Sequence, residues 1–439
     1  MSINGQKGDS FAPLELTEAQ HQHCQDLTFQ LLGRTLHSYD ERNSYRDSNT
    51  GLPRHHASLD NRRWRRLKTQ ANASLYAERS SGSWRDLAFA DDNMGNPCVL
   101  LAAGTIDSTL DEVMFGLAAP DFAAMRVRSE VLANQSVDGA VLAQLAGPTE
   151  ADPFQFMGVL WLVGEQSWPL NIVVRPRDFV IVFATGVITR SNGERIGYEV
   201  VQSIDLPQCP ELLKPMIRGK LMHGAIYKEQ QVGTVDVYIQ MYAETHGRIL
   251  DKIVATAMWE SALGFWRAPR LSELKKLQWW KEQASSNGCN TEATQCNSCL
   301  KKSRASSWRR SAHLSAHNTC ILCTTPVCSS CRVKRTLKMP SEHSGKLLDL
   351  HVVVCPACMR FVLELSPSAI AMQNHKQRQE ADEGSRRSSR RVTLESVLDQ
   401  PATTSLGSVR KYPSISKMVK LVAGSDTSDS ERRKTYPLH

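Results

Sequence analysis

The chain has 439 residues and a formal net charge of +8, from 53 Lys and Arg against 45 Asp and Glu. That length exceeds what one hydrophobic core supports, so two or more packed units are expected. Met1 to Pro13 is polar with no charged-then-apolar leader, and no apolar run reaches the roughly 18 residues of a membrane-spanning helix, so a cytosolic or nuclear chain is expected.

In chain order, Thr17 to Leu36 places Leu27, Leu31 and Leu32 on one side of a predicted helix, and Gln20 lies three residues after Thr17, the spacing of a capping box. Arg62, Arg63, Trp64, Arg65 and Arg66 form a cation-aromatic run, but Trp64 and Leu67 fall where a first strand begins. The reading is a core Trp flanked by solvated arginines, and nucleic acid is not an expected partner. Runs of high β-propensity follow at Trp64 to Thr69, Ala73 to Glu78, Cys98 to Ala103, Phe154 to Val163, Phe179 to Ile188, Glu194 to Ile204 and Lys220 to Lys228. Short helices are predicted at Ser108 to Leu117 and Pro120 to Arg128. Thr234 to Tyr242 alternates, with Val235, Val237, Ile239 and Met241 on one face and Asp236, Tyr238, Gln240 and Tyr242 on the other, which predicts a half-buried strand. Ile249, Leu250, Ile253, Val254, Ala257, Met258, Ser261, Phe265 and Trp266 then recur at helical spacing, and Pro269 is expected to stop that helix.

Many antiparallel strands plus one long terminal helix predict an α+β fold in which the sheet grips the helix, since both apolar faces need cover. The segment Arg175 to Val180, containing Arg177, Asp178 and Phe179, then Ile217, Arg218 and Gly219, Gly224, Gly233 and Gly247, resembles the second half of START lipid-binding domains. The resemblance implies a START-like helix-grip domain over residues 14–269, with an apolar tunnel for one lipid ligand. Residues 270–295 read as a linker, helical around Leu271 to Gln283 and polar from Ala284 to Gly288.

From Cys296 to Leu365 the chain carries eleven basic and three acidic residues, the whole of its net charge. Eight of the 12 cysteines fall here in four Cys-x2-Cys pairs: Cys296 and Cys299, Cys320 and Cys323, Cys328 and Cys331, Cys355 and Cys358. Two such turns direct four thiolates at one ion in the tetrahedral shell that zinc prefers, so four pairs predict two structural zinc ions with no open position. Cys24, Cys98 and Cys209 have no partner at metal spacing and are expected to be buried thiols.

The four-residue gap between the second and third pairs, and Val327 to Cys331 followed by Lys334, Arg335, Leu337 and Pro340, resemble a FYVE finger over residues 296–365. That resemblance implies that the first and third pairs share one ion and the second and fourth the other. It also names candidate headgroup contacts at His317, Arg332, Lys334 and Arg335. The match departs from the family where a histidine-rich basic stretch should lead into Cys320, since only His317 is basic there, and Val353 stands where the family has Arg. Without clustered cationic donors a phosphoinositide headgroup loses its charge-assisted bonds. RING fingers are less similar, because the central ligand block here has no His.

Residues 366–439 are Ser/Arg-rich and predicted to be disordered, with kinase-like strings at Arg386 to Ser389 and Arg390 to Thr393. No Gly-rich phosphate loop occurs, and local spacing brings together no Ser, His and acid cluster, so nothing calls for an enzyme. The sequence thus predicts a non-enzymatic lipid-binding or lipid-transfer adaptor, cytoplasmic and peripheral on endosomal membranes. Its finger would meet an anionic membrane surface or a protein. The alternative is a RING-like interaction or ubiquitin-ligase scaffold.

Overall fold

In the computed structural model, Thr17 opens helix α1 (Glu18–Ser44) through a capping box: its N–H donates to Gln20 Oε1 at 3.0 Å, and the Gln20 N–H donates to Thr17 Oγ1 at 3.2 Å. The structure describes residues 11–44, 59, 63–79, 98–164, 176–212, 216–243, 251–284, 296, 298–300, 319–341 and 347–395. Among these, no helix is long and apolar enough to cross a membrane.

Ten strands form one sheet: β1 (Trp64–Gln70), β2 (Ala73–Glu78), β3 (Cys98–Ile106), β4 (Val137–Ala146), β5 (Phe156–Gly164), β6 (Arg177–Thr189), β7 (Arg195–Ser203), β8 (Ile217–Arg218), β9 (Leu221–Gln231) and β10 (Thr234–Ala243). Their order is β1-β2-β3-β10-β9-β7-β6-β5-β4, antiparallel throughout, while the short β8 pairs with β6 in parallel. Between β3 and β4 lie helices α2 (Leu110–Leu117) and α3 (Phe122–Ala133). After β10 come α4 (Asp251–Gly264), a 3-10 turn (Phe265–Arg267) and α5 (Ala268–Ala284). The fold is therefore the predicted α+β architecture, with α1 on one sheet face and α2, α4 and α5 contributing to the core on the other.

Strand β10 corrects the half-buried expectation. Val235, Val237 and Ile239 join the core with α2 and α4, while Tyr238 and Tyr242 join the core with Leu31, Leu32 and Tyr39 of α1. The polar members of that second face are buried with partners: Tyr39 Oη donates to Asp236 Oδ2 at 2.9 Å, and Arg42 reaches Asp236 Oδ1 at 3.3 Å. Alternation signals a solvated face only when nothing covers it, and α1 covers this one. Gly224 on β9 admits that close approach, since a Cβ there would collide with Thr35 of α1. Trp64 is buried as expected, with the Arg63 guanidinium 5.3 Å from its ring centroid. Cys24 and Cys209 are buried free thiols, Cys24 being pushed up to about 11 by desolvation; the Cys98 side chain lies outside the described residues.

Pro269 does not end the helical run. It sits in the first turn of α5, where a missing N–H leaves no bond unmade. The buried hydrophobic positions described on α4 and the following turn are Trp259, Ala262 and Phe265, whereas Met258 is half-buried and Ser261 exposed. The first half of the expected linker is likewise a packed helix: Leu271, Ser272, Lys276 and Leu277 of α5 are all 1% exposed or less. Its polar residues resembled a solvated connector, yet Ser272 and Lys276 both bond Glu112 of α2. Residues 285–295 lie outside the described set. The expected disordered tail also begins as structure, in α7 (Pro367–Glu395), because Ile370 enters the core beside α2 and α5.

The two short motifs read as START-like meet in space. Asp178 on β6 is fully buried and accepts from Arg218 Nε at 3.1 Å, from its Nη2 at 2.9 Å and from Trp161 Nε1 at 3.1 Å. Arg218 also donates to the carbonyls of Cys209 and Pro210, so one guanidinium ties β6, β8 and the preceding loop together. Removing one partner of such a pair strands a buried charge. Arg218→Ala is therefore expected to lower unfolding free energy by about 3–5 kcal/mol in denaturant melts, and a loss below about 1 kcal/mol would place the pair outside the stability of the fold.

Candidate metal centre and buried polar cluster

Each cysteine pair sits on a tight turn. The Leu300 N–H returns to the Cys296 carbonyl at 2.9 Å, that of Thr324 to Cys320 at 2.8 Å, and that of Cys331 to Cys328 at 3.1 Å. Cys355 is the N-cap of helix α6 (Pro356–Glu364), where Pro356 follows and its sulfur accepts from the Cys358 N–H at 3.4 Å. A helix N-terminus favours negative charge, which suits a thiolate. Strands β11 (Val333–Pro340) and β12 (Leu347–Val354) form a hairpin between the third and fourth pairs.

The eight sulfurs gather into two groups, Cys296, Cys299, Cys328 and Cys331, and Cys320, Cys323, Cys355 and Cys358, each with its Sγ atoms within 4.8 Å of one another. The first pair thus meets the third and the second meets the fourth, the interleaving that the FYVE resemblance implies. Sulfurs of different pairs approach to 3.7 Å at Cys299 and Cys328 and 3.9 Å at Cys323 and Cys355. A tetrahedron with metal–sulfur bonds of about 2.3 Å has edges of about 3.8 Å, whereas a disulfide would hold its sulfurs about 2.05 Å apart. The donor set, its interleaving and its spacing therefore fit two four-thiolate metal ions with no open position.

Of the candidate headgroup residues, His317 lies outside the described residues and Lys334 is exposed on the hairpin. Arg335 is turned to the body and pairs with Glu273 of α5. Lys338 does the same, reaching Glu130 of α3 at 3.3 Å and Asp349 of β12 at 2.7 Å. Part of the basic charge of the hairpin is thus spent inside the molecule. Helix α5 completes the junction: Leu274 and Leu277 pack in one cluster with Cys296, Cys320, Cys355, Val352 and Val354, and Trp280 lies 4.8 Å from Phe361 of α6, ring to ring.

A second constellation, unseen in the sequence, lies where α3 packs on the sheet. Both Glu199 carboxylate oxygens on β7 accept from Arg128 Nη2 of α3 at 2.7 Å. The guanidinium stands 5.3 Å from the Phe183 ring centroid and 5.7 Å from that of Phe265. His223 on β9 brings Nε2 to 3.7 Å from Glu199, too far for a hydrogen bond, and its ring is 5.1 Å from Phe265. The His223 Nε2 and Tyr227 hydroxyl atoms are buried without a hydrogen-bond partner among the described residues. Desolvation lowers His223 to about 4 and Arg128 adds to that fall, while Glu199 opposes it. Desolvation likewise holds the Tyr227 phenol well above its usual range. The available signal was Glu199 itself, a carboxylate inside the apolar run from Ile196 to Val201.

Two outcomes follow from this geometry. Metal analysis of the purified chain should return two ions, and Cys323→Ala should lower that count by at least one; an unchanged count contradicts the shared shell. The second concerns pH. The folded His223 binds fewer protons than the unfolded imidazole near 6.5, so its contribution is complete above that value and lost as pH falls toward about 4. Asp152, raised to about 6 by burial, acts oppositely in the same window, because its neutral form favours the fold. The comparison is therefore between proteins: urea melts of His223→Gln should lose less stability from pH 7 to 4.5 than the parent, and parallel profiles would contradict the assignment.

No family model matches the sequence, and no curated protein matches it. Among solved structures the chain is similar to human StAR-related lipid transfer protein 5, at 13% identity and TM-score 0.37, over 56% of this chain and 98% of that one. It is also similar to human STARD10, at 11% identity and TM-score 0.33 over 52% and 78%, and to the human StarD13 (DLC2) lipid transfer and protein localization domain, at 11% and 0.33 over 48% and 88%.

Proposed function

We propose that the chain is a non-enzymatic lipid-binding or lipid-transfer adaptor. Its body receives the polar end of one lipid at the cluster of Arg128, Glu199, His223 and Tyr227, and its cysteine unit, holding two structural zinc ions, meets a membrane or a protein partner in the cytoplasm. The observation that carries this reading is the pair of unpartnered polar atoms on His223 and Tyr227 inside an apolar surround. A buried polar group without a partner costs about 1–3 kcal/mol, a cost that a ligand hydroxyl, carbonyl or ester would remove. The fully paired Arg128 and Glu199 fix the geometry around it and leave no free charge, which suits a neutral polar group over an ionised one.

Zinc is the metal of choice because four soft thiolates in a closed tetrahedral shell match its preference, and such a shell supplies folding energy, not chemistry. Each zinc–sulfur group would carry net negative charge, and the basic residues that follow Cys331 in sequence, Arg332 and Lys334, would offset part of it. Contact with an anionic surface would then fall to the exposed side of the hairpin around Lys334, since Arg335 and Lys338 face the body.

Delipidated full-length protein should take up lipid from mixed liposomes, detected by mass spectrometry after reisolation, and Tyr227→Phe should reduce uptake several-fold without lowering Tm. No uptake by the parent, or full uptake by the variant, contradicts the proposed role of the cluster.

A further inference from the structure

A pocket of about 380 Å³ lies on the far side of α3 from the sheet, where the body, the hairpin and α7 meet. Helix α3 turns Met125, Arg128 and Leu132 into the fold, while the neighbouring stripe of Ala124, Val127 and Val131 lines this pocket. Phe115 and Phe154 of the body, Leu274 of α5, Met339 of β11 and Ala371 of α7 supply other walls. No single part of the chain encloses the space; it exists only because the hairpin and α7 are docked.

The charged side chains around it are all engaged elsewhere. Lys275 Nζ donates to the carbonyls of Phe115 at 2.7 Å, Gly116 at 2.9 Å and Ala118 at 2.7 Å, which uses all three ammonium protons. Arg378 faces Asp121 at 3.3 Å, Lys338 is held by Glu130 and Asp349, and Glu282 accepts from Gln278. An ionised ligand would enter a mainly apolar space whose one cation without a carboxylate partner, Lys275, already has its protons committed to carbonyls, and its lost hydration would go largely uncompensated. A volume of this size with apolar walls and a few amide groups is that of a small-molecule site, roughly 300–1,000 Å³ in general.

We infer that this junction is a second ligand site, which takes one uncharged, mainly hydrocarbon ligand: a neutral aliphatic chain or ring system carrying at most a hydroxyl. It is independent of the polar cluster on the inner side of α3, so either site can fail without the other.

The test compares dodecanol with dodecanoate, which share a chain and differ in charge, by calorimetric titration of the full-length protein. In the Tyr227→Phe background, which weakens the polar cluster, dodecanol should bind at one site and dodecanoate at least ten-fold more weakly. Val127→Trp fills the pocket from the body and Ala371→Trp fills it from α7, where Ala371 is only partly buried at the margin of the core. Each should weaken dodecanol binding at least ten-fold with Tm unchanged; if Val127→Trp misfolds, Ala371→Trp decides alone. Absent dodecanol binding, equal affinity for the two probes, or parental affinity in Ala371→Trp would overturn the inference. Lipid uptake from liposomes, measured on the Trp substitutions in the parent chain, keeps the pocket distinct from the polar cluster, because they should leave that uptake intact.

Discussion

Helix α5 is a single rod with two apolar sides, and each side belongs to a different core. Ala268 and Leu271 pack among the body residues around Trp259 and Phe265, while Leu274 and Leu277 pack among the clustered cysteines and the hairpin valines. Its polar residues reinforce the weld. Lys276 bonds Glu112 on one side and the Leu363 carbonyl, near the end of α6, at 3.0 Å on the other. Lys275 caps the C-terminal carbonyls of α2, groups left without intrahelical partners, at the negative end of that helix. Burial lowers this amine to about 7, so the interaction is one of geometry as much as charge. The cysteine unit is consequently fastened to the sheet domain along a buried wall.

That constraint changes what the cysteine unit can do. A finger on a flexible tether offers its basic surface to whatever partner it meets. Here Arg335 and Lys338 pair with Glu273 and Glu130 of the body, and the exposed basic residue left on the hairpin is Lys334. The same docking encloses the junction pocket, so the pocket walls and the cysteine clusters draw on one arrangement of α5. Within the sheet domain, the inner side of α3 carries a buried ion pair beside two buried polar atoms without a hydrogen-bond partner among the described residues.

What the sequence disclosed followed the range over which each signal acts. Capping of α1 by Thr17 and Gln20, the strands around Phe183 and Ile239, and the four cysteine turns depend on neighbours a few residues apart, and all were legible. Strand β4 was not, because Gly139, Ala140, Ala143 and Ala146 have weak strand propensity and are held by pairing with β5. Helix α5 was expected as the helical start of a linker, and its role as a packed element depends on Ser272 and Lys276 meeting Glu112, a partner some 160 residues away. The sulfur grouping needed the family resemblance, since spacing alone does not choose which turns meet. Arg128, Glu199, His223 and Tyr227 come from three separate elements, and no local pattern unites them.

Hydrogen exchange across α2, α5 and the hairpin, followed as a chelator strips the metal, tests the shared helix most directly. The account predicts that amides of α2 and α5 lose protection together with those of β11 and β12, as one cooperative unit. Loss of protection confined to the hairpin, with α2 and α5 as slow to exchange as before, would contradict it.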